Sequence, residues 1–298
     1  MMNITLRQLR YFKALAQDLH FGRAADRCAI SQPALSVQIR DLEQTLGLEL
    51  FERQPRALRL TPKGEDFETR ATAILRAMDE LGDWATSARG TTLGRLRLGI
   101  IPTIAPYLLP NLISQVTQAH PQTDLHVRET VTPRLIDELM DGQLDAAIVA
   151  LPLDEPALVE SPLFSEEMVL IRPKTDATAP PATVNELAQL RLLLLEEGHC
   201  FRDQAMSFCN INPNRPRGGL DGSSLGTLVQ MVGAGIGVTL IPEMAIDVET
   251  RSAPVCISRF AGTAPSRSIG MVWRATNPMG PALQDLVPLV QQAAGHKD

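Results

Sequence analysis

From residue 95 to the C-terminus, apolar stretches typical of buried strands alternate with stretches that have the spacing of helices. Parallel strands need a crossover connection between them, which is usually a helix, so this alternation constrains the fold strongly. It predicts an α/β domain with a largely parallel sheet. The predicted strands are 95–101, 124–129, 144–150, 167–172, 191–195, 237–241 and 268–274, and the predicted helices are 106–118, 133–141, 183–189, 202–208, 224–234 and 281–294.

Three segments with polar or reactive side chains fall directly after predicted strands: Thr103, Thr132 and residues 198–200. Ligands of α/β folds bind near the C-terminal ends of the strands. We therefore expect these three segments to converge on one pocket.

The last of these segments holds a thiol, Cys200, between His199 and Arg202. A cysteine reacts as its thiolate, which nearby cations or a helix N-terminus favour. His199 and Arg202 are the candidate cations. A helix that begins after Gly198 would place the thiol at a helix N-terminus. Free cysteines are also common as small buried hydrophobic residues, and the local sequence leaves both interpretations open.

A second thiol, Cys209, lies nine positions after Cys200. In a continuous helix, nine residues advance about 13.5 Å and leave the two side chains about half a turn apart. A disulfide needs Cα atoms within about 7 Å of each other. A bond between the two thiols would therefore require the intervening segment to unwind, which would couple oxidation to a conformational change.

The N-terminal part of the chain has the pattern of a helix-turn-helix. Apolar spacing predicts helices over 5–17 and 23–28, with a break at 21–23. Ser31 as N-cap and Pro33 in the first turn predict the start of a third helix, which a glycine ends near residue 47.

The third helix carries polar residues of the kinds that bond base edges or phosphates, and a run of cations without an acid among them follows the glycine. We interpret the polar set as a DNA-reading face and the cations as a wing against the phosphate backbone. A solvated surface loop is the alternative for the cations. The polar set is Gln32, Ser36, Gln38 and Arg40, and the cations are Arg53, Arg56, Arg59 and Lys63.

Apolar residues recur in a heptad pattern over 64–89, which predicts a long helix. A seam of this kind after a DNA-reading module favours a dimerising linker, because such modules usually read paired half-sites. An amphipathic helix that packs on its own domain is the alternative. The seam consists of Phe67, Ala71, Ile74, Met78, Leu81, Ala85 and Ala88.

The charge balance agrees with a small nucleic-acid module on a larger body. Residues 1–62 carry a net charge of +3 within a chain of net charge −6.

The N-terminus lacks the apolar stretch of a signal peptide, no segment approaches a membrane span, and four cysteines in 298 residues suit a reducing compartment. We expect a cytoplasmic protein with no membrane partner, no metal site and no cofactor, since no Cys or His has metal-ligand spacing.

Several motifs carry a family resemblance over nearly the whole chain. SQPALSVQIRDLEQTLGLELFER at 31–53, with LTPKG at 60–64, resembles the winged helix-turn-helix of the LysR-type transcriptional regulators. IPTIAPYLLP, LDAAIVALP and MVGAGIGVTLIP resemble the same family's effector domain, which is similar to periplasmic binding proteins. The resemblance implies a winged helix-turn-helix over 1–63, a linker and dimerisation helix over 64–92 and an effector domain over 93–298, with one subdomain formed by 93–165 and 268–298 and the other by 166–267.

GHCFRDQAMSFC at 198–209 resembles the corresponding segment of the peroxide-sensing members of this family. That resemblance implies a regulator of oxidative-stress genes in which Cys200 reacts with hydrogen peroxide and Cys209 is its disulfide partner. It also implies a homotetramer built as a dimer of dimers, with double-stranded DNA, RNA polymerase and a cellular dithiol reductant as partners. In this interpretation Thr103, Thr132, Gly198, His199 and Cys200 bind the peroxide, Arg202 held by Asp203 stabilises the thiolate, and Ser31, Gln32, Pro33, Ser36, Gln38, Arg40, Arg53 and Arg56 bind DNA.

Two other functions would use the same features differently. A LysR-type regulator that responds to a small organic acid would leave both thiols as structural residues. A thiol peroxidase would use Cys200 as a catalytic residue. The DNA module and the lack of a Thr-x-x-Cys motif argue against such an enzyme, so we predict a regulator.

Overall fold

The structure is a computed structural model of the chain. The chain divides into two compact units, Met1–Ala85 and Thr86–Asp298. The structure describes residues 4–54, 57–87, 94–208 and 221–295. Three residues named above lie outside these ranges: Cys209, Arg56 of the predicted wing and Ala88 of the predicted seam.

The described residues of the first unit form four helices and a two-stranded hairpin. β1 pairs antiparallel with β2. This is the order of elements that the sequence predicts for a winged helix-turn-helix followed by a long helix. In chain order the elements are α1 (Leu6–Asp18), α2 (Phe21–Arg27), α3 (Gln32–Leu46), β1 (Phe51–Gln54), β2 (Ala57–Leu60) and α4 (Pro62–Ser87).

Side-chain caps determine where α1 and α3 begin. Thr5 forms a capping box with Gln8 at the start of α1. The hydroxyl of Ser31 accepts from the amide of Ala34 at the start of α3, as the sequence predicts. Gly47 ends α3 with φ of 65°, in the left-handed region that glycine adopts without strain.

The predicted break at 21–23 is wrong, because the turn lies two residues earlier. Leu19 ends α1 in the left-handed region with φ of 45°. His20 then caps α2, since its Nδ1 accepts from the backbone amides of Gly22 and Arg23. Histidine is not among the usual N-cap residues, so the sequence pattern does not indicate this cap.

An apolar core joins the helices of the first unit to the hairpin and to α4. The ring of Phe12 lies 5.3 Å from that of Phe51 and 4.8 Å from that of Phe67, measured between centroids. Tilted and edge-on arrangements of this kind stabilise aromatic pairs beyond their burial. The fully buried side chains include Phe12, Leu15, Leu35, Ile39 and Leu42.

The predicted heptad seam of α4 has two parts. Ala71 is buried in the core of the first unit, and Phe67 packs against it. Ile74, Met78 and Leu81 are instead 50%, 42% and 55% exposed. The first part of the seam therefore serves the unit's own core, while the second part leaves an apolar stripe available to a partner.

The second unit is a mixed α/β domain with a seven-stranded sheet. Short 3₁₀ helices lie at Lys174–Asp176, Val184–Gln189 and Glu243–Ala245. The strands and α-helices are β3 (Arg95–Ile100), α5 (Ala105–Ala119), β4 (Asp124–Glu129), α6 (Thr132–Met140), β5 (Ala146–Leu151), β6 (Leu158–Pro173), α7 (Cys200–Phe208), α8 (Leu225–Gly233), β7 (Thr239–Pro242), α9 (Ile246–Glu249), β8 (Val255–Ser258), β9 (Ser266–Arg274) and α10 (Gly280–Ala293).

The prediction of a largely parallel sheet is wrong. The strand order is β4-β3-β5-β9-β6-β7, with β8 also paired to β6. β3 pairs parallel with β4 and β5. β9 inserts between β5 and β6 and runs antiparallel to both, and β7 and β8 are also antiparallel to β6. Alternation along the sequence does not reveal a strand that returns to the middle of a sheet.

Three predicted elements differ in extent or kind. Only the second half of β6 was predicted, at 167–172, because Glu160 and Pro162 interrupt the apolar pattern of its first half. A register shift between Pro162 and Phe164 accommodates the proline. The stretch 191–195 forms isolated parallel bridges instead of a strand, and 183–189 forms a 3₁₀ helix instead of an α-helix.

Two separate apolar cores pack around the sheet. Buried side chains of the first core lie within 96–164 and 269–293, and those of the second lie within 168–245. β6 joins them, because Phe164 belongs to the first core and Met168 to the second. The subdomain boundaries implied by the family resemblance stay a prediction.

A nearly buried ion pair ties β3 to the start of β5. The carboxylate of Asp145 is 4% exposed and lies 2.6 Å from Nη2 of Arg97. It also accepts from the backbone amide of Arg97 at 2.7 Å. The backbone carbonyl of Asp145 accepts from Nδ2 of Asn277. Removal of this carboxylate would break a nearly buried ion pair and its bond to the backbone of β3.

We expect Asp145→Ala to lower the free energy of unfolding by about 3 kcal/mol, since one partner of a buried pair is lost. Glu138→Ala is the matched control. It breaks the pair of Glu138 with Arg128, whose side chain is 51% exposed, and should cost less than about 1 kcal/mol. Urea denaturation followed by circular dichroism measures both. Equal losses in the two variants would contradict the special role of Asp145.

Candidate functional site

A turn at Gly198 places Cys200 at the start of α7. Gly198 has φ of 93°, which glycine adopts without strain. The half-buried Cys200 is the first residue of α7. The thiol therefore lies at a helix N-terminus, where the partial positive charge of the backbone amides favours an anion.

Cys200 lines a narrow crevice in the second unit. The crevice brings together the three segments that the sequence analysis expected to converge. In this conformation it has no room for a water molecule. Its walls are Ile101, Pro102, Thr103, Val131, Thr132, His199, Cys200 and Phe201.

The two threonines of the crevice differ in their hydrogen bonds. Thr132 is 7% exposed, and its Oγ1 has no partner among the residues that the structure describes. Thr103 is 3% exposed and its Oγ1 accepts from Nη1 of Arg267 at 2.8 Å. A buried hydroxyl without a partner is costly, so the hydroxyl of Thr132 is available to a polar ligand.

Arg267 is a buried cation that the sequence analysis did not include in the site. Its side chain is 0% exposed and forms an ion pair with Glu166. Its Cζ lies 5.3 Å from the ring centroid of Phe201. Since Thr103 and Phe201 both line the crevice, Arg267 provides the positive charge beside it.

One signal in the sequence could have indicated the burial of Arg267. Successive side chains of a strand point to opposite faces, so Arg267 shares a face of β9 with Ile269, Met271 and Trp273. These three residues are buried. A cation on the apolar face of a strand is buried and needs a buried counterion. The sequence does not show that Glu166 is this counterion.

The structure gives Arg202 a different partner from the predicted one. Nη1 of Arg202 donates to the carbonyl of Leu195 at 2.7 Å and to Asp221 at 2.8 Å. Asp203 is exposed and forms no ion pair with the residues described. The prediction that Asp203 holds Arg202 is therefore wrong, because a carboxylate 19 positions away lies closer than the adjacent one.

His199 does not act as a cation near neutral pH. Burial lowers the pKa of His199 from its usual 6.5, and Glu196 opposes this shift only in part. The neutral imidazole can donate or accept a hydrogen bond at the crevice. Of the two cations that the sequence analysis considered beside Cys200, His199 is thus uncharged and Arg202 is paired elsewhere.

A cavity of about 540 Å³ adjoins the crevice. Pro102, Thr103, Val131 and His199 line both spaces, so they form the boundary between them. The cavity wall carries three carboxylates and, among the described residues, no arginine or lysine. The carboxylates belong to Glu129, Glu196 and Glu249.

Tyr107 links the two sides of this cavity. It lies on α5 and packs against the second core, and its hydroxyl donates to Oε1 of Glu249 at 2.7 Å. Burial and this carboxylate raise the pKa of Tyr107 far above its usual value. The hydroxyl therefore stays protonated and keeps donating at any physiological pH.

In the first unit, the predicted DNA-reading residues occupy different faces of α3. Gln32, Ser36 and Arg40 are spaced four apart and lie on one face. Gln32 and Arg40 are exposed and Ser36 is half-buried. Gln38 lies about 200° around the helix from Ser36, so it does not share that face.

The cations of the predicted wing are only partly described. Arg59 of β2 and Lys63 of α4 are exposed. Arg56 and the side chain of Arg53 lie outside the described residues. Ser31 caps α3 and Pro33 follows in its first turn, so both have a structural role in addition to the predicted contact with DNA.

The described residues contain no group of three or more Cys, His, Asp or Glu side chains arranged to hold a metal ion. No helix among them is both long enough and apolar enough to cross a membrane.

Comparison with protein families matches both units. Residues 6–65 match the bacterial regulatory helix-turn-helix protein, lysR family, and residues 89–295 match the LysR substrate binding domain. The chain belongs to the LysR family. The predicted winged helix-turn-helix and effector domain are therefore confirmed.

Individual members of the LysR family are similar over nearly the full length. The DNA-binding transcriptional dual regulator OxyR of Escherichia coli K12 is 38% identical, over 99% of this chain and 98% of its own. A full-length OxyR variant of Pseudomonas aeruginosa has a TM-score of 0.74 at 37% identity, covering 99% and 95% of the two chains. An H2O2-bound OxyR mutant of Corynebacterium glutamicum has a TM-score of 0.66 at 36% identity, covering 98% and 94%.

The lowered pKa of His199 predicts a loss of stability in acid. The folded chain binds a proton at His199 less readily than the unfolded chain, so this stabilising contribution is full above about pH 6.5 and declines below it. The thermal midpoint should fall between pH 6.5 and pH 5 by more in the native chain than in His199→Gln, which cannot titrate. Parallel pH profiles would contradict the buried neutral histidine.

Proposed function

We propose that this LysR-family protein is a transcriptional regulator that senses hydrogen peroxide through Cys200. One observation carries the proposal: a thiol at the N-terminus of α7 lines a crevice with a buried threonine hydroxyl that has no partner. The hydrogen-bonding groups of this arrangement match a small polar molecule such as peroxide, which enters once the crevice widens. The similarity to OxyR proteins, one of them H2O2-bound, supports it.

In the first step the thiolate of Cys200 attacks one oxygen of hydrogen peroxide. The O–O bond breaks, and the departing oxygen takes a proton and leaves as water. Cys200 is oxidised to a sulfenic acid, and peroxide is reduced. Thr103, Thr132 and the backbone at 198–200 bind the peroxide oxygens, and Arg267 stabilises the negative charge that moves to the departing oxygen.

Peroxide is larger than water, so the crevice must widen to admit it. The adjoining cavity provides the route, because only Pro102, Thr103, Val131 and His199 of the described residues line both spaces. Movement of the His199 side chain would join them. His199 thus contributes to access as well as to binding.

In the second step the thiol of Cys209 attacks the sulfenic sulfur, a disulfide forms and water leaves. Cys209 lies outside the described residues, but α7 covers every residue from Cys200 to Phe208. Closure of the disulfide therefore requires α7 to unwind. A cellular dithiol then reduces the bond and returns both thiols.

The remaining parts of the proposal concern assembly and location. The face with Gln32, Ser36 and Arg40 reads DNA, and the exposed stripe of Ile74, Met78 and Leu81 pairs with a second copy. Unwinding of α7 changes contacts between copies in a homotetramer and so alters binding to DNA and to RNA polymerase. The protein is cytoplasmic and has no enzymatic turnover of its own.

Recognition of a small organic acid is the alternative function within the family. Such a ligand is an anion and requires a cation in its pocket. Glu129, Glu196 and Glu249 instead line the cavity, with no arginine or lysine among the described lining residues. The cavity therefore disfavours an organic anion.

Cys200→Ser should abolish the response to peroxide, because a serine hydroxyl forms no anion at neutral pH. Cys209→Ser should still form a sulfenic acid at Cys200 but no intramolecular disulfide. Mass-spectrometric thiol mapping after a stoichiometric peroxide pulse measures both. Cys256→Ser is the control and should behave like the native protein. A disulfide in peroxide-treated Cys200→Ser would assign the chemistry to other thiols.

Gln32→Ala should relax base preference by about 1–3 kcal/mol, since a side chain that reads a base edge is lost. Arg59→Ala should weaken binding to all DNA sequences alike and lower the salt slope by about one, since a phosphate contact is lost. Titrations on specific and random duplexes at several salt concentrations separate the two effects. Identical behaviour of the two variants would refute the assigned faces.

A further inference from the structure

Phe201 joins the reactive segment to the buried cation. It follows Cys200 in α7, is 3% exposed and belongs to the second core. Its ring also lines the crevice, and Arg267 lies over it with Cζ 5.3 Å from the centroid. A guanidinium over an aromatic face at this distance is a cation–π contact, which is strongest where water is excluded.

The other contacts of Arg267 lie around the edge of its guanidinium. Nε donates to Oε1 of Glu166 at 2.8 Å, and Nη2 lies 2.5 Å from the same oxygen. Nη1 donates to Oγ1 of Thr103 at 2.8 Å, and Nη2 donates to the carbonyl of Thr103 at 3.2 Å. Nη1 has a second N–H, for which the described residues provide no acceptor. This nitrogen already bonds a threonine that lines the crevice.

Hydrogen bonds to the edge of the Arg267 guanidinium restrain its movement within its own plane. They resist a tilt of that plane less strongly. The ring of Phe201 covers one face of the guanidinium and limits that tilt. The direction of the unpaired N–H on Nη1 therefore depends on the ring. If the ring leaves, Arg267 keeps its bonds to Glu166 and Thr103 but loses the contact that sets its plane.

We propose that Phe201 is a positioning residue that holds Arg267 by a cation–π contact, so that the free N–H of Nη1 meets the departing oxygen of peroxide. The inference rests on the proposed peroxide chemistry at Cys200. As the O–O bond breaks, this N–H stabilises the departing oxygen, which takes a proton and leaves as water. When α7 unwinds, the ring withdraws and the stabilisation ends.

A purely structural role for Phe201 is the competing explanation, because the residue also belongs to the second core. The two roles respond differently to the electron density of the ring. Fluorine withdraws density from the ring face and weakens a cation–π contact, whereas it changes the size of the side chain little. Fluorination therefore leaves the apolar packing of the ring nearly unchanged.

The experiment replaces Phe201 with phenylalanine carrying one, two or three fluorines in the full-length Cys209→Ser protein, which stops at the sulfenic acid. The rate of sulfenic acid formation with hydrogen peroxide should fall stepwise, by about tenfold for the trifluorinated ring. Phe201→Leu, which keeps an apolar side chain without a π face, should show a similar loss. The thermal midpoints of the fluorinated proteins should fall by less than that of Phe201→Leu, which loses packing as well as the cation–π contact.

Phe208 provides a matched control in the same helix. It also packs against the second core, and among the described residues no guanidinium lies over its ring. Fluorination at 208 should leave the rate unchanged. Equal rates across the fluorinated series at 201 would overturn the inference while Cys200 still reacts. Absence of any oxidation at Cys200 in the native protein would instead refute the proposed function.

Discussion

The ion pair between Arg267 and Glu166 is the interaction on which the site depends. The two residues face each other across the β6–β9 ladder, where β6 passes from the first core to the second. Arg267 also bonds Thr103, which follows β3. One buried cation therefore fixes the relative positions of two long strands and one wall of the crevice.

This ion pair is not explained by stability alone. Burying two charges is costly, and well-packed apolar residues of the same size are often as stabilising. Oε2 of Glu166 has no partner among the described residues, so the burial is not fully compensated. A positive charge retained at this cost lies beside the crevice that holds Cys200, where the proposed chemistry develops negative charge on the departing oxygen.

The order and kind of the elements could be predicted largely from periodicity and caps, as Ser31 and Gly47 show for α3. The site was only half predictable. Thr103, Thr132 and Cys200 each come shortly after a stretch predicted as a strand. Their convergence could be predicted because ligands of α/β folds bind near the C-terminal ends of the strands. The partners of Arg202 and Arg267 lie 19 and 101 positions away, at Asp221 and Glu166, and only the fold reveals them. The sheet was mispredicted for the same reason, since the return of β9 between β5 and β6 is a long-range event.

The carboxylates around the cavity make the approach to the thiol selective by charge. Glu129, Glu196 and Glu249 surround the space that adjoins the crevice, and His199 at its boundary is neutral. An anionic oxidant or an anionic thiol must cross a region of negative potential, whereas an uncharged molecule crosses it without cost. The entrance thus discriminates among oxidants before any bond is made. In the proposed mechanism, a dithiol or a reductase that is too large for this entrance reaches the sulfur only after α7 has opened, so oxidation and reduction would take place by different routes.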